Sequence, residues 1–320
     1  MQGIGDDAAV IKPSAGHQLV VSTDLLVEDI DFLRRSTSAR LLGHKALAVS
    51  LSDIAAMGAK PRWALLSIGV TEDVWSTEFI DQLYDGVFEL ADRYGVRLIG
   101  GDTSRTPEKI VLDSIVLGEC KEGAAISRAG AQPGDQVFVT GALGAAAAGV
   151  RLSNRGAKVT PIHGNESDQR AMDALLLRHL SPEPRVGWGM VLGQEKLVSA
   201  MIDLSDGLSS DLHHICEESK TGALIRAEDL PIDPAVVELC GRRALDPLQL
   251  ALHGGEDFEL LFTASTAQAS RLPKRVDGVP VTCIGTIEAA DQGVRLAEGS
   301  RIWPLEAGGY EHFAARAKTV

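Results

Sequence analysis

The sequence predicts a mixed α/β chain in two domains, on three observations. Its 320 residues exceed one small module and suit about two domains. Strand-like and helix-like apolar patterns alternate through both halves, with no fixed-period repeat. Apolar residues make up 45% of the chain, only 4% is aromatic and 33 residues are glycine, a composition able to bury sizeable cores around many tight turns. The expected domains are 1–125 and 126–320.

In the first half, residues 20–26 read as a strand carrying an acid, Asp24. A helix over 43–58 closes on its glycine and on Lys60-Pro61. Residues 64–70 form a second strand. Over 76–94, Phe79, Leu83, Val87 and Leu90 recur every three or four positions, the period of a helix. A short strand over 96–99 runs into Gly100-Gly101-Asp102, and 109–117 completes a β-rich region. In the second half, Pro133-Gly134-Asp135 makes a turn before a strand over 136–140, and Gly141-Ala142-Leu143-Gly144 leads into an alanine-rich helix. The polar stretch 152–168 reads as a loop. A helix over 171–179 stops at Pro182 and Pro184; a strand at 200–203, a helix at 210–218 and a strand at 258–263 follow.

Lys and Arg total 31 against 44 Asp and Glu, a net charge of −13. Such a surface repels nucleic-acid phosphates and anionic lipids, so neither is expected as a partner, and a phosphorylated ligand would need charge borrowed from metal ions. Cys120, Cys216, Cys240 and Cys283 lie far apart without zinc or C-x-x-C spacing, as reduced thiols do. No apolar run approaches the ~18 residues of a membrane helix, and with no charged n-region and apolar h-region at Met1-Gln2-Gly3 no signal peptide is expected. A cytoplasmic location is expected.

Most acids of a soluble chain decorate its surface, but a subset sits elsewhere. Asp53 lies in the segment 46–57, a helix with almost no polar face, and is predicted buried with it. A buried carboxylate requires a cation or dense hydrogen bonding; a structural ion pair or a helix cap is its ordinary use. Asp24, Asp102 and Asp203 each stand beside or after apolar runs; Asp206 follows Asp203 closely, and Asp6-Asp7 sits behind Gly3-Ile4-Gly5. Acids at strand ends beside small residues can converge in one crevice. Gathered together they repel, and hard divalent cations with oxygen ligands relieve that repulsion, Mg²⁺ best of all beside phosphates.

Other phosphate devices are missing. No Gly-Lys pair occurs, so there is no P-loop. Gly141-x-x-Gly144 before a helix could offer N–H groups to an anion, although close strand–helix packing explains it equally. Asp203-Leu-Ser-Asp206 lacks the D-x-D spacing of the haloacid-dehalogenase phosphatases. His213-His214 reads as helix surface or cap.

Taken in order, Gly3-Ile-Gly-Asp-Asp-Ala-Ala, Ser22-Thr-Asp, Leu51-Ser-Asp-Ile-Ala-Ala-Met-Gly, Gly100-Gly-Asp-Thr, Ile202-Asp-Leu-Ser-Asp-Gly-Leu and Gly254-Gly-Glu-Asp-Phe-Glu-Leu resemble the thiamine-monophosphate kinases. Ser127-Arg-Ala-Gly-Ala-Gln-Pro-Gly-Asp and Gly309-Tyr-Glu-His-Phe add to the set, which spans nearly the whole chain. That family belongs to the ATP-binding superfamily of aminoimidazole ribonucleotide synthetase and selenophosphate synthetase. The resemblance implies that superfamily's two-domain α/β (α+β) fold, a homodimer whose N-terminal sheets share one barrel, and a C-terminal α/β domain completing the active site. It implies ATP-dependent phosphorylation of thiamine monophosphate to thiamine diphosphate, the last step of that cofactor's biosynthesis, with several Mg²⁺ ions.

By motif position, the resemblance implies that Asp7, Ser22, Thr23, Asp24, Asp53, Asp102, Asp203 and Asp206 are Mg²⁺ ligands, with Asp53 and Asp102 the most critical. Tyr84, Gly101, Asp102, Arg128 and Ser205 would hold ATP, and Asp31, Glu256 and Tyr310 would surround thiamine monophosphate. Relatives usually carry roughly twenty further residues ahead of the first motif, so the start is expected to be truncated or misassigned, in a region where loss is often tolerated. Asp31 stands where many relatives have His. Two other readings stay open: another ATP-dependent member of the superfamily, and a non-catalytic Mg-ATP sensor. Selenophosphate synthetase is disfavoured because no Cys lies near the N-terminus, and a sensor would need fewer acids.

Overall fold

A computed structural model of the chain describes residues 8–9, 11–159, 167–243 and 245–310. The N-terminal unit runs β1 (His17–Val27), α1 (Ala39–Ala56), β2 (Lys60–Val70), α2 (Thr77–Tyr94), β3 (Arg97–Arg105) and β4 (Val111–Lys121). Its four strands form a sheet in the order β1-β4-β2-β3, in which only the β2–β3 pair is parallel. The predicted elements are present here with longer strands. β3 continues through Gly100-Gly101-Asp102 to Arg105, where the sequence reading stops at Ile99.

α1 organises the unit. Ser38 caps its start by accepting from the Leu41 N–H, and fifteen of its eighteen residues are buried, all but Arg40, Leu41 and Asp53. A helix apolar on every side must be covered on every side. β1, β4 and α2 cover it from the N-terminal unit, α5 and β6 from the C-terminal unit. α2 is capped by Ser76 and stopped by Gly95 in the left-handed region, and it carries its apolar residues on one stripe.

The C-terminal unit comprises β5 (Gln136–Thr140), α3 (Ala145–Asn154), α4 (Ser167–Leu180), α5 (Val186–Gln194), β6 (Ala200–Asp203), α6 (Leu208–Ser219), β7 (Thr221–Arg226), α7 (Pro234–Arg243), α8 (Pro247–His253), β8 (Leu260–Ala264), α9 (Thr266–Ala269), β9 (Arg275–Val276), β10 (Val279–Ala289), β11 (Val294–Glu298) and β12 (Arg301–Pro304). Its sheet runs β12-β11-β7-β10-β5-β8-β6, with β9 paired to β10. The mixed α/β class expected from the sequence is the class observed. α5, β7, α7, α8, α9 and β9–β12 are elements the sequence reading does not single out: all but the eleven-residue β10 are ten residues or fewer, and the edge strand β12 is exposed along its length. The free thiols Cys120, Cys216 and Cys240 are buried and Cys283 is half-buried. No helix among the described residues is long and apolar enough to cross a membrane.

α1 and α2 touch backbone to backbone at two glycines. A Cβ on Gly43 would stand 1.9 Å from the carbonyl oxygen of Leu83, and one on Gly86 would stand 1.9 Å from that of Arg40. Neither obstacle is a side chain that can swing away. Gly43→Ala or Gly86→Ala should therefore force the helices apart and lower stability by about 1–3 kcal/mol. Urea unfolding measures it, and unchanged midpoints would refute the packing argument.

Candidate active site

Strand β1 alternates, and its two faces differ in role. Ser22 and Asp24 point toward α1: the Ser22 hydroxyl donates to Asp53, and Ser50 of α1 donates to Asp24 Oδ2 at 2.8 Å. Thr23 and Leu25 point the other way. The Thr23 hydroxyl donates to Asp113 Oδ1 at 2.8 Å on the open face of the sheet, so only Ser22 and Asp24 of this motif send side chains to the acid cluster. Asp203, at the end of β6, accepts from Ser52 Oγ at 2.7 Å. One turn of α1 thus presents Ser50 and Ser52 to two acids, Asp24 of β1 and Asp203 of β6, and Asp53 to the Ser22 hydroxyl of β1.

These acids lack enough cationic charge around them. Burial, then the charge of Asp53, pushes Asp24 up to about 6. Burial raises Asp53 too, against the Ser22 hydrogen bond and the charge of Arg128. Asp203 rises to about 7, through burial first and Asp53 second. Arg128, exposed itself, is the cation that acts on both Asp53 and Asp203. Asp53, expected to be buried with its helix, is half-buried, the one uncovered residue between Leu42 and Ala56.

Asp102 stands apart within one chain. In the sheet register it shares a row with Ser67, Asp113 and Leu25, three strand spacings or roughly 14 Å from β1. It is exposed on the open face and accepts from the Thr103 N–H at 2.8 Å. Gly101 beside it presses on the backbone of β2, where a Cβ would lie 1.9 Å from Leu66 O. Tyr84 sits on α2, stacked on Phe88 with ring centroids 6.0 Å apart. Asp7 lies outside the described residues.

A cavity of about 620 Å³ opens beside the acid cluster, and Asp24, Asp31, Ser205, Asp206, Glu256 and Tyr310 all line it. The loop after α8 enters it in a constrained conformation. Glu256 and Phe258 have φ of 67° and 50°, a region that non-glycine residues seldom occupy. Their N–H groups are tied to Ser205 O at 2.8 Å and Leu204 O at 2.9 Å. Burial works to raise the Glu256 carboxyl, but the Lys45 ammonium and His179 outweigh it and hold it down at about 2. Asp31 accepts from the Val27 N–H at 2.8 Å, and the Tyr310 N–H donates to Asp206 O at 3.1 Å.

The donor set suits a hard cation. It consists of carboxylates and hydroxyls, and several of the carboxylates are raised by burial and by one another. Among the described residues, Asp206, Asp211 and His214 have ligand atoms within 4.8 Å of one another. Sequence reasoning passed over Asp211 and read His214 as surface; only α6 wrapping back on the 203–206 turn shows their proximity. Burial and the charges of Asp203 and Asp206 push Asp211 up to about 8. The Gly141-x-x-Gly144 turn is no anion cradle, since Asp257 already accepts from the N–H groups of Gly144 at 2.6 Å and Ala146 at 3.1 Å.

Residues 5–120 match the family of AIR synthase related protein, N-terminal domain, and 132–296 that of its C-terminal domain. The chain is 39% identical to the thiamine-monophosphate kinase of Escherichia coli strain K12 over 319 residues, 98% of this chain and 92% of that protein. The crystal structure of thiamine-monophosphate kinase from Stenotrophomonas maltophilia K279a superposes with a TM-score of 0.81 at 40% identity, covering 92% of this chain and 90% of that one. The chain belongs to the thiamine-monophosphate kinase family. Another solved structure, AaThiL complexed with AMPPCP and TMP, superposes on this family member with a TM-score of 0.80 at 32% identity, covering 98% of this chain and 93% of that one.

In this thiamine-monophosphate kinase family member, the crowded acids tie stability to pH. Asp203 has a folded pKa of about 7, above the ~3.9 of an unfolded carboxyl. Its contribution to stability is therefore complete below the unfolded value and lost as pH rises through the folded one. Asp203→Asn removes that loss. In chelator-treated protein the variant should be more stable than the native chain at pH 8 by on the order of 2 kcal/mol, with no difference near pH 4. Urea unfolding at both pH values measures it; an equal difference at the two would contradict the electrostatic cause.

Proposed function

We propose that the chain transfers the γ-phosphoryl group of ATP to thiamine monophosphate, giving thiamine diphosphate in a direct in-line step, the last of that cofactor's synthesis. The observation that carries the reading is the meeting of Asp24, Ser205, Asp206, Asp31, Glu256 and Tyr310 around one cavity beside an under-compensated acid cluster. The relative solved with AMPPCP and TMP supports an ATP-like donor and that acceptor.

In this reading Asp7, Ser22, Thr23, Asp24, Asp53, Asp102, Asp203 and Asp206 form the Mg²⁺ ligand set. Mg²⁺, when bound, supplies the positive charge that lets two phosphate groups approach and that steadies the charge of the transition state. Asp53 is central among the chain's own groups, being linked to Ser22 on one side and electrostatically to Asp24, Asp203 and Arg128 on the other. Arg128 offsets charge on ATP, with Ser205, Tyr84, Gly101 and Asp102 as further ATP contacts. Asp31, Glu256 and Tyr310 hold the acceptor. The attacking group is already an anionic phosphate oxygen, so the residues need to align two anions rather than to remove a proton.

The same reading divides the chain into 1–125, for ATP and Mg²⁺ binding and dimerisation, and 126–320, completing the site in a cytoplasmic enzyme. It also calls for a homodimer. The open face of β1 exposes Leu19, Val21 and Leu25 by 38%, 59% and 57%, a row of apolar side chains that a partner sheet would cover. Closing two such sheets into a barrel sets each edge strand against the partner, and Asp102 and Thr23 both belong to that face.

Chromatography of reactions containing thiamine monophosphate, ATP and Mg²⁺ should yield thiamine diphosphate, and none once the metal is chelated. Asp53→Asn should fold normally yet lose at least about a hundredfold in turnover. Tight Mg-ATP binding without product would favour the sensor, and near-native activity in the variant would remove Asp53 from its role. Val21→Glu combined with Leu25→Glu should convert a dimer to monomer in sedimentation velocity; an unaltered mass would place the interface elsewhere.

A further inference from the structure

A buried cation behind the cavity wall has no part in the chemistry above. Lys45 lies in the covered interior of α1 with 0% of its surface exposed, where an ammonium must be paired. Its Nζ donates to Glu256 Oε1 at 2.8 Å and to the Asp31 carbonyl oxygen at 3.1 Å, and it lies 3.4 Å from His179 Nδ1. His179 meets the other Glu256 oxygen through the same Nδ1. Burial and the neighbouring Lys45 lower the His179 pKa, so the ring is neutral. Facing a carboxylate and an ammonium, that nitrogen carries the ring's one proton and donates it to Glu256. Both carboxylate oxygens are thus held, one from α1 of the N-terminal unit and one from α4 of the C-terminal unit. Asp31, His179 and Glu256 line the cavity, whereas Lys45 does not.

We infer that Lys45 is a positioning residue for the acceptor: its ammonium ties the turn bearing Asp31 to the Glu256 carboxylate across the seam between the two units and fixes these acceptor-facing groups relative to each other. The inference rests on the reading of Asp31 and Glu256 as contacts for thiamine monophosphate. Lys45 acts through Glu256 and never meets substrate. The strained backbone at Glu256 gives the tie its purpose, since a loop held in a seldom-occupied conformation keeps it only where its surroundings over-determine it.

Turnover of thiamine monophosphate by the native chain tests the kinase reading on its own, and its absence overturns that reading and this inference together. Where the native chain is active, Lys45→Met should raise KM for thiamine monophosphate about tenfold or more while KM for ATP stays within about twofold. Equal rises in both constants, or an unchanged acceptor KM, would overturn the positioning role. Because Lys45→Met strands Glu256 without its cation, Glu256→Gln and the double variant Lys45→Met/Glu256→Gln are measured beside it. A residue acting through Glu256 leaves the double variant within about twofold of Glu256→Gln in acceptor KM. A larger further rise means that Lys45 works independently of Glu256 and overturns the inference, even if Lys45→Met alone fails to fold.

Discussion

α1 has no face to give to water, and the rest of the molecule answers to that constraint. One sheet can cover one side of a helix; covering all sides takes α2, the N-terminal sheet and the edge of the second unit together. The seam between the two units therefore runs along α1. The polar residues of α1 beyond its first turn are enclosed with it, and each must find a partner or a ligand. Lys45 finds Glu256 and the Asp31 carbonyl, Ser50 finds Asp24 and Ser114, Ser52 finds Asp203, and Asp53 finds Ser22. Lys45 and Asp53 are eight residues apart, about 12 Å along the axis. The helix thus spans from the Glu256 end of the cavity to the acid cluster as one rigid rod.

Acids withdrawn from bulk water here divide by whether a cation answers them. Glu256 has Lys45, with the His179 ring donating beside it, and Glu259 has Arg178 and Arg185. In both, burial would raise the carboxyl but the partners win and depress it. Asp24 and Asp203 have serine hydroxyls but no adjacent ammonium or guanidinium, and both are raised. A fold selecting for stability alone has little reason to retain the second arrangement. The contrast separates acids that hold the structure from acids that leave charge unmet, and the unmet ones cluster beside the cavity. Asp257 marks the limit of the rule: it is raised to about 7 by burial, yet it serves as an ordinary cap on α3.

Much of this was legible in the chain itself. The acids stand out because apolar neighbours surround them, and that signal survives without any contact map. β1 even carries the information that separates Thr23 from Ser22 and Asp24, since side chains of a strand alternate and a run of three candidate ligands cannot all face one way. Lys45 was not legible. A lysine near the start of an apolar helix looks like a snorkelling surface residue, and its partner Glu256 is 211 positions away. The strands β9–β12 were missed for a related reason. β9, β11 and β12 are short and take their shape from pairing, and the eleven residues of β10 carry a proline near their start and a bulge between Cys283 and Gly285 that break the strand pattern.

The position of Asp102 carries the synthesis further. Ser22, Asp24, Asp53 and Asp203 gather on the helix-covered side of the N-terminal sheet, whereas Asp102 and Thr23 belong to its bare side. A single sheet cannot bring both groups to one ion through its own thickness. If one set of ligands serves one nucleotide, the bare side must be roofed by other atoms, and a second copy offering the same apolar row of Leu19, Val21 and Leu25 is the self-complementary roof available. In the homodimer proposed above, that roof would do more than bury apolar area: it would turn an exposed aspartate at a sheet edge into a group enclosed beside phosphate, where its charge acts through a low dielectric instead of being screened by water.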